Sequence, residues 1–215
     1  GAALTLARGW DAQHRALLVL VPLFVLAPVI TDGITLLLVG FMLALSAAAL
    51  PVQLGRDWIW MHAARTAATT LPLLVALVAA HFGSADDPWL LGSACGIAAA
   101  LAVVGALLLL RSTANPIAIA LLTVAGTAPV LGAGVAVDRW LAAMLAATLS
   151  LGLLALVLLG DRLPGVTGPV AQIWSALSAV SGLLAVTVTF RGPLLAPVLL
   201  ALATLVRIRR HPDAW

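Results

Sequence analysis

Four histidines, His14, His62, His81 and His211, and a single cysteine, Cys95, are the side chains of this sequence best suited to hold a metal or a haem. Haem needs two imidazoles at matching depth on neighbouring helices, and zinc needs three or four converging ligands. His81 falls at the opposite rim from the other three, so the histidines read as solvated interfacial residues and no metal or cofactor is expected. Carboxylate chemistry has as little to work with. All 8 acidic residues are Asp, and each lies at the edge of an apolar run, as does every Arg. Proton-coupled antiport and cleavage by an aspartate pair both need a carboxylate at depth. A serine–histidine dyad of rhomboid type would need a GxSG setting that is lacking. The chain therefore reads as a non-enzyme without catalytic residues. Asp57, His62 and Asp161 are the groups whose replacement would revive an enzymatic reading if it abolished a turnover.

Small residues carry a stronger signal. Gly92 and Gly96 form a GxxxG, Ser175, Ser178, Ser181 and Gly182 make a small, weakly polar stripe, and Ala142, Ala143, Ala146 and Ala147 make another. Such faces let helix backbones approach and pack by dispersion and weak hydrogen bonds. Packing within one bundle is the first reading and a subunit interface the second. Gly126, Pro129, Gly132 and Gly134 fall within one apolar segment, Ile117 to Val137, and give it the weakest helical continuity of the chain. It is either a kinked helix or an unwound, re-entrant segment beside a cavity. Arg56 and Arg65 flank Trp58 and Trp60, a pattern of interfacial anchoring that Trp140 repeats at the start of a later segment.

The elements that must position these residues follow from the solvent the chain requires. Of its 215 residues 63% are hydrophobic and 9% charged, and its mean hydropathy is +1.17. No globule of this length has interior enough to hide that much apolar surface from water. Lipid is therefore the expected surrounding. All 11 basic residues are Arg, a bias that matches the alanine- and arginine-favouring composition of a GC-rich, actinobacterial-type genome. The formal charge of +3 reads as an excess of cytoplasmic Arg, with no nucleic-acid partner implied. Cys95 lies inside an apolar run and can form no intrachain disulfide.

The stretch from Pro88 to Leu110 holds 23 residues without a charge. As a helix it is about 35 Å long, enough to cross the hydrocarbon core of a bilayer. Arg111 at one end and Asp86 and Asp87 at the other orient it, because Arg is retained on the cytoplasmic side. The fold class expected is all-α, a polytopic transmembrane helix bundle of about eight spans with both termini cytoplasmic. The spans run from Ala16 to Ile30, Ile34 to Leu54, about Ala64 to Phe82, Pro88 to Leu110, Ile117 to Val137, Asp138 to Gly160, Val170 to Phe190 and Leu194 to Val206. In the loop after Arg111, Ser112 or Thr113 is available as a helix cap, with Pro116 in the first turn. Residues 1–9 read as the end of an upstream helix or rim segment, 10–210 as the bundle and 211–215 as a cytoplasmic tail. This parity places nine of the 11 Arg inside, all except Arg139 and Arg191.

The segment Val137-Asp138-Arg139-Trp140, followed by Leu145-Ala146 and Thr148, resembles the stretch that opens a late membrane helix in the EccD family, the polytopic membrane component of type VII secretion systems. HAART (His62 to Thr66) before an apolar run, with Pro88-Trp89 opening the next, is similar to the membrane half of the fusaric-acid-resistance-type aromatic acid exporters. These resemblances imply a non-enzymatic subunit of an export or secretion complex in the plasma or inner membrane, whose helices form a scaffold or line a passage beside other membrane subunits or copies of itself. A small-molecule exporter with an apolar substrate cavity is the alternative. A membrane enzyme acting on lipid substrates is the third.

Overall fold

Apolar side chains decide that a segment will be helical in lipid, but polar residues decide where each helix begins. In the computed structural model, which describes residues 36–50, 59–83, 87–163, 165–166 and 168–190, Asp87 accepts hydrogen bonds through Oδ1 from the backbone N–H of Trp89 (2.9 Å) and Leu90 (3.2 Å). Pro88 fills the first helical position, where no donor is needed. Asp138 caps the N–H of Trp140 at 2.9 Å, and Asn115 caps that of Ala118 at 3.4 Å with Pro116 behind it. The cap of the helix after Arg111 is thus Asn115 and not Ser112 or Thr113, whose hydroxyls are used within the preceding turn. Gly83, at φ +94°, lets the chain reverse where a side chain would strain it.

These signals delimit α1 (Leu36–Ala49), α2 (Ile59–His81), α3 (Pro88–Leu110), α4 (Pro116–Gly132), α5 (Arg139–Leu158) and α6 (Pro169–Thr189), with short 3-10 turns at Ala133–Val135 and Gly160–Arg162. Among the described residues every regular element is helical. Five of the helices, α2 to α6, are long and apolar enough to cross a membrane, and the bundle they form fits a membrane protein. The expected second span is described over Leu36–Ala49. The first and eighth spans, residues 1–9 and the tail 211–215 lie outside the described residues.

One expectation is corrected, and one of two open readings is decided. The third span begins at Ile59 and not near Ala64, because Met61, His62, Arg65, Thr66, Thr69, Leu73 and Leu77 recur at helical spacing and all turn to the interior. The segment with the weakest helical continuity is continuous: α4 runs through Gly126 and Pro129 to Gly132 and ends in the 3-10 turn. It also lies at the centre. It packs most closely on α3 and α2 and reaches α6 as well, while the α5–α6 hairpin makes the most extensive pairing of all and α1 leans on α2 and α3. Glycine at 126 permits this, since a Cβ there would run into Ala102 of α3 and Thr66 of α2. Pro72 and Pro129 both stand inside their helices, which run parallel as neighbours.

The core is apolar and tight. Leu73, Cys95, Ala106, Ile119, Ala120 and Trp174 are fully enclosed. The outward faces are apolar too: Leu71, Leu151 and Leu158 are each more than 60% exposed.

Candidate functional site

The polar interior of the bundle lies on α2, one to three turns from its start. His62 is fully buried and Arg65 only 4% exposed, with Thr66, Thr69 and Thr70 buried beside them and Thr123 and Thr127 of α4 likewise buried. Arg65 is therefore no rim anchor and His62 no solvated histidine. Trp60 is 72% exposed, as the opposite face of the same turn requires. Helical geometry explains the difference: reading the segment as a loop leaves Arg65 free to reach water, whereas winding it into α2 aims it at α3.

The threonines do not serve the charge. Thr66 donates to the carbonyl of His62 (2.9 Å), Thr69 to Thr66 (3.0 Å), Thr70 to Thr66 (2.9 Å), Thr123 to Ile119 (3.0 Å) and Thr127 to Val124 (3.0 Å). Each hydroxyl closes on its own helix, the usual way such residues are accommodated in apolar surroundings. Arg65 has one partner instead: its Nη2 donates to His62 Nδ1 at 2.9 Å. A guanidinium can only donate, so Nδ1 is the accepting nitrogen and the neutral ring carries its proton on Nε2. Among the described residues, that Nε2–H and the Nη1 of Arg65 are both buried without a hydrogen-bond partner. Burying a charge or a donor unpaired costs on the order of several kcal/mol, so two such groups on adjacent side chains are a feature in need of a cause.

Gly105 of α3 makes the room. A Cβ at this position would overlap Arg65 Nη2 and approach His62 Cε1 to 3.2 Å. Sequence reasoning missed Gly105, which has no partner glycine at the spacing of Gly92 and Gly96. It also missed the inward turn of Arg65, although the Thr-rich run after it was the available signal: buried hydroxyls at helical spacing mark an inward face.

Gly92 and Gly96 are brought against α5, where a Cβ on Gly96 would meet Leu145 Cδ2 at 3.0 Å and one on Gly92 would overlap Leu141. Ser178 and Gly182 of α6 also face α5. Ser178 donates to the Ser150 carbonyl and Ser150 to the Ser178 carbonyl, both at 2.8 Å, and a Cβ on Gly182 would stand 2.9 Å from Ser150 Oγ. Ser181 is buried and bonded to Leu177, while Ser175 points outward and bonds Gln172. Gly126 sits at the α2–α3–α4 crossing, Pro129 is buried in α4, and Gly132 and Gly134 stand in ordinary contact with Leu77 and Val188. Trp140 is 57% exposed with Arg139 over its ring at 5.3 Å. Arg56 and Trp58 lie outside the described residues. At the far end of α2 from His62, His81 donates through Nδ1 to the Val135 carbonyl at 3.0 Å.

A second feature is a cavity of about 440 Å³ between α3 and α5, lined by Gly96, Ala100, Val103, Leu145, Thr148 and Gly152 among others. It is almost wholly apolar, because the Thr148 hydroxyl is spent on the carbonyls of Met144 and Leu145. From α4 it takes Val130 alone, so it does not gather around Gly126, Pro129, Gly132 and Gly134. Among the described residues no three His, Cys or Asp side chains converge as a metal site. Compared with models of protein families, with curated proteins and with solved structures, the chain matches none.

Proposed function

We propose that this chain is a multi-pass protein of the cell's plasma or inner membrane, crossing it about eight times with both termini cytoplasmic, and that it serves as a non-enzymatic subunit of an export or secretion assembly. The observation that supports this reading is where the apolar surface lies. The GxxxG and serine faces are consumed inside the bundle, yet α5 keeps only 28% of its most apolar window buried and turns Met144, Leu151, Leu154 and Leu158 outward. Such a face suits the helices of neighbouring subunits packed in lipid. A photo-crosslinking residue at Leu151 is expected to yield protein adducts of defined mass in native membranes. Adducts with lipid alone would remove the subunit reading.

The cavity between α3 and α5 favours a second reading, export of an apolar small molecule through this chain itself. Its size suits a small ligand, and its lining is of the kind that binds through dispersion and exclusion of water. Gly152 lines it, and a Cβ there meets nothing within 4 Å, so Gly152→Leu fills the space without disturbing the helix. This reading expects Gly152→Leu to lower cellular resistance to exported aromatic acids at unchanged protein level. Unchanged resistance would discard it.

A further inference from the structure

We propose that Arg65 and His62 form a receptor for one anionic oxygen group, a carboxylate or a phosphate, held between α2 and α3. Three independent features converge on it. The first is charge: Arg65 is 4% exposed, and among the described residues no carboxylate pairs with it. The second is direction. The hydrogen bond from Arg65 to Nδ1 holds the imidazole so that its remaining N–H is a donor, and this donor and Nη1 are the two left without partners. Two buried donors, one of them charged, ask for an acceptor that brings negative charge and more than one oxygen, as carboxylates and phosphates do. The third is placement, since Gly105 withholds the Cβ that would displace the guanidinium and so lets its donors stand between α2 and α3.

The level of the pair narrows the source of the anion. Arg65 lies six residues into α2, about 9 Å along the axis, and Gly105 five residues before the end of α3, about 7.5 Å. Helices of about 35 Å centred on a hydrocarbon core of about 30 Å put both residues about 5 to 7 Å inside its boundary. The nearer headgroup layer is the closest source of such a group, as a lipid phosphate or as a soluble anion entering from that face.

The test uses the full chain in a neutral detergent. Its melting temperature and its native mass spectrum are followed with phosphatidylglycerol, with phosphatidylcholine, with inorganic phosphate and with acetate, each against chloride. Near-saturating anion is expected to raise the Tm by about 5 °C. A rise with phosphatidylglycerol alone, with one retained lipid in the spectrum, identifies a lipid headgroup; a rise with phosphate or acetate identifies a soluble anion. Arg65→Gln, and independently Gly105→Ala, should abolish the response, and Arg65→Lys should keep part of it. No rise with any anion in the unaltered chain overturns the proposal, whether or not the variants fold. So does a rise that persists undiminished in both Arg65→Gln and Gly105→Ala.

Discussion

At the scale of single residues, the bundle spends its polar groups locally. The clearest pairing across helices is Ser150 with Ser178, each hydroxyl donating to the other's backbone carbonyl at 2.8 Å, with the two oxygens 3.4 Å apart. In lipid such bonds are modest, because alternatives exist in the separated helices too. Ser150→Ala and Ser178→Ala should each destabilise by about 0.6 to 1.7 kcal/mol. The two hydroxyls share one site, so the double variant should cost less than the sum of the singles. Unfolding in denaturing detergent measures all three. Strict additivity would show that the two bonds form independently.

At the scale of elements, glycine decides how closely helices approach. Gly126 and Gly152 are both helical glycines, but a Cβ on the first runs into Ala102 and Thr66 while one on the second meets open space. Gly126→Ala should therefore destabilise by about 1 to 3 kcal/mol through overpacking at the α2–α3–α4 crossing. Gly152→Ala should be neutral or stabilise by up to about 1 kcal/mol from helix propensity. The same denaturation assay separates them.

The limits of the sequence lie at this scale as well. Pro88–Leu110 was legible to the residue, because an uncharged run between Asp87 and Arg111 can end nowhere else. The start of α2 was not, because Arg65 and His62 look like rim residues when only hydropathy is weighed. What places them inside is the face they share with Met61, Thr66, Thr69 and Leu73, a property of phase and not of average polarity. The continuity of α4 was one of two readings that the residues left open. Glycine and proline weaken a helix in water, but in an enclosed position the same residues permit the close approach that holds it.

At the scale of the whole molecule, alternation of short connections and long helices places the starts of α2, α4 and α6 at one end with the close of α3 and α5. Arg111 and Arg162 fall at that end with Asp161, and Arg139 at the other with Asp87 and Asp138, a modest Arg excess of the sign expected if the first faces the cytoplasm. The chain offers a convenient background for testing this, since Cys95 is its one cysteine and is buried. In a Cys95→Ala chain, Ser84→Cys should react with an impermeant maleimide from outside intact cells and Ser112→Cys only after lysis. The reverse pattern would invert the topology.

Pro72 and Pro129, inside neighbouring helices, have a mechanical consequence. Each proline withholds the amide that its helix would have offered to a carbonyl one turn back, so each of two shafts lying side by side carries a joint. Beyond Pro72, α2 ends at His81, whose imidazole bonds the Val135 carbonyl just past α4, so the two jointed ends are tied to each other.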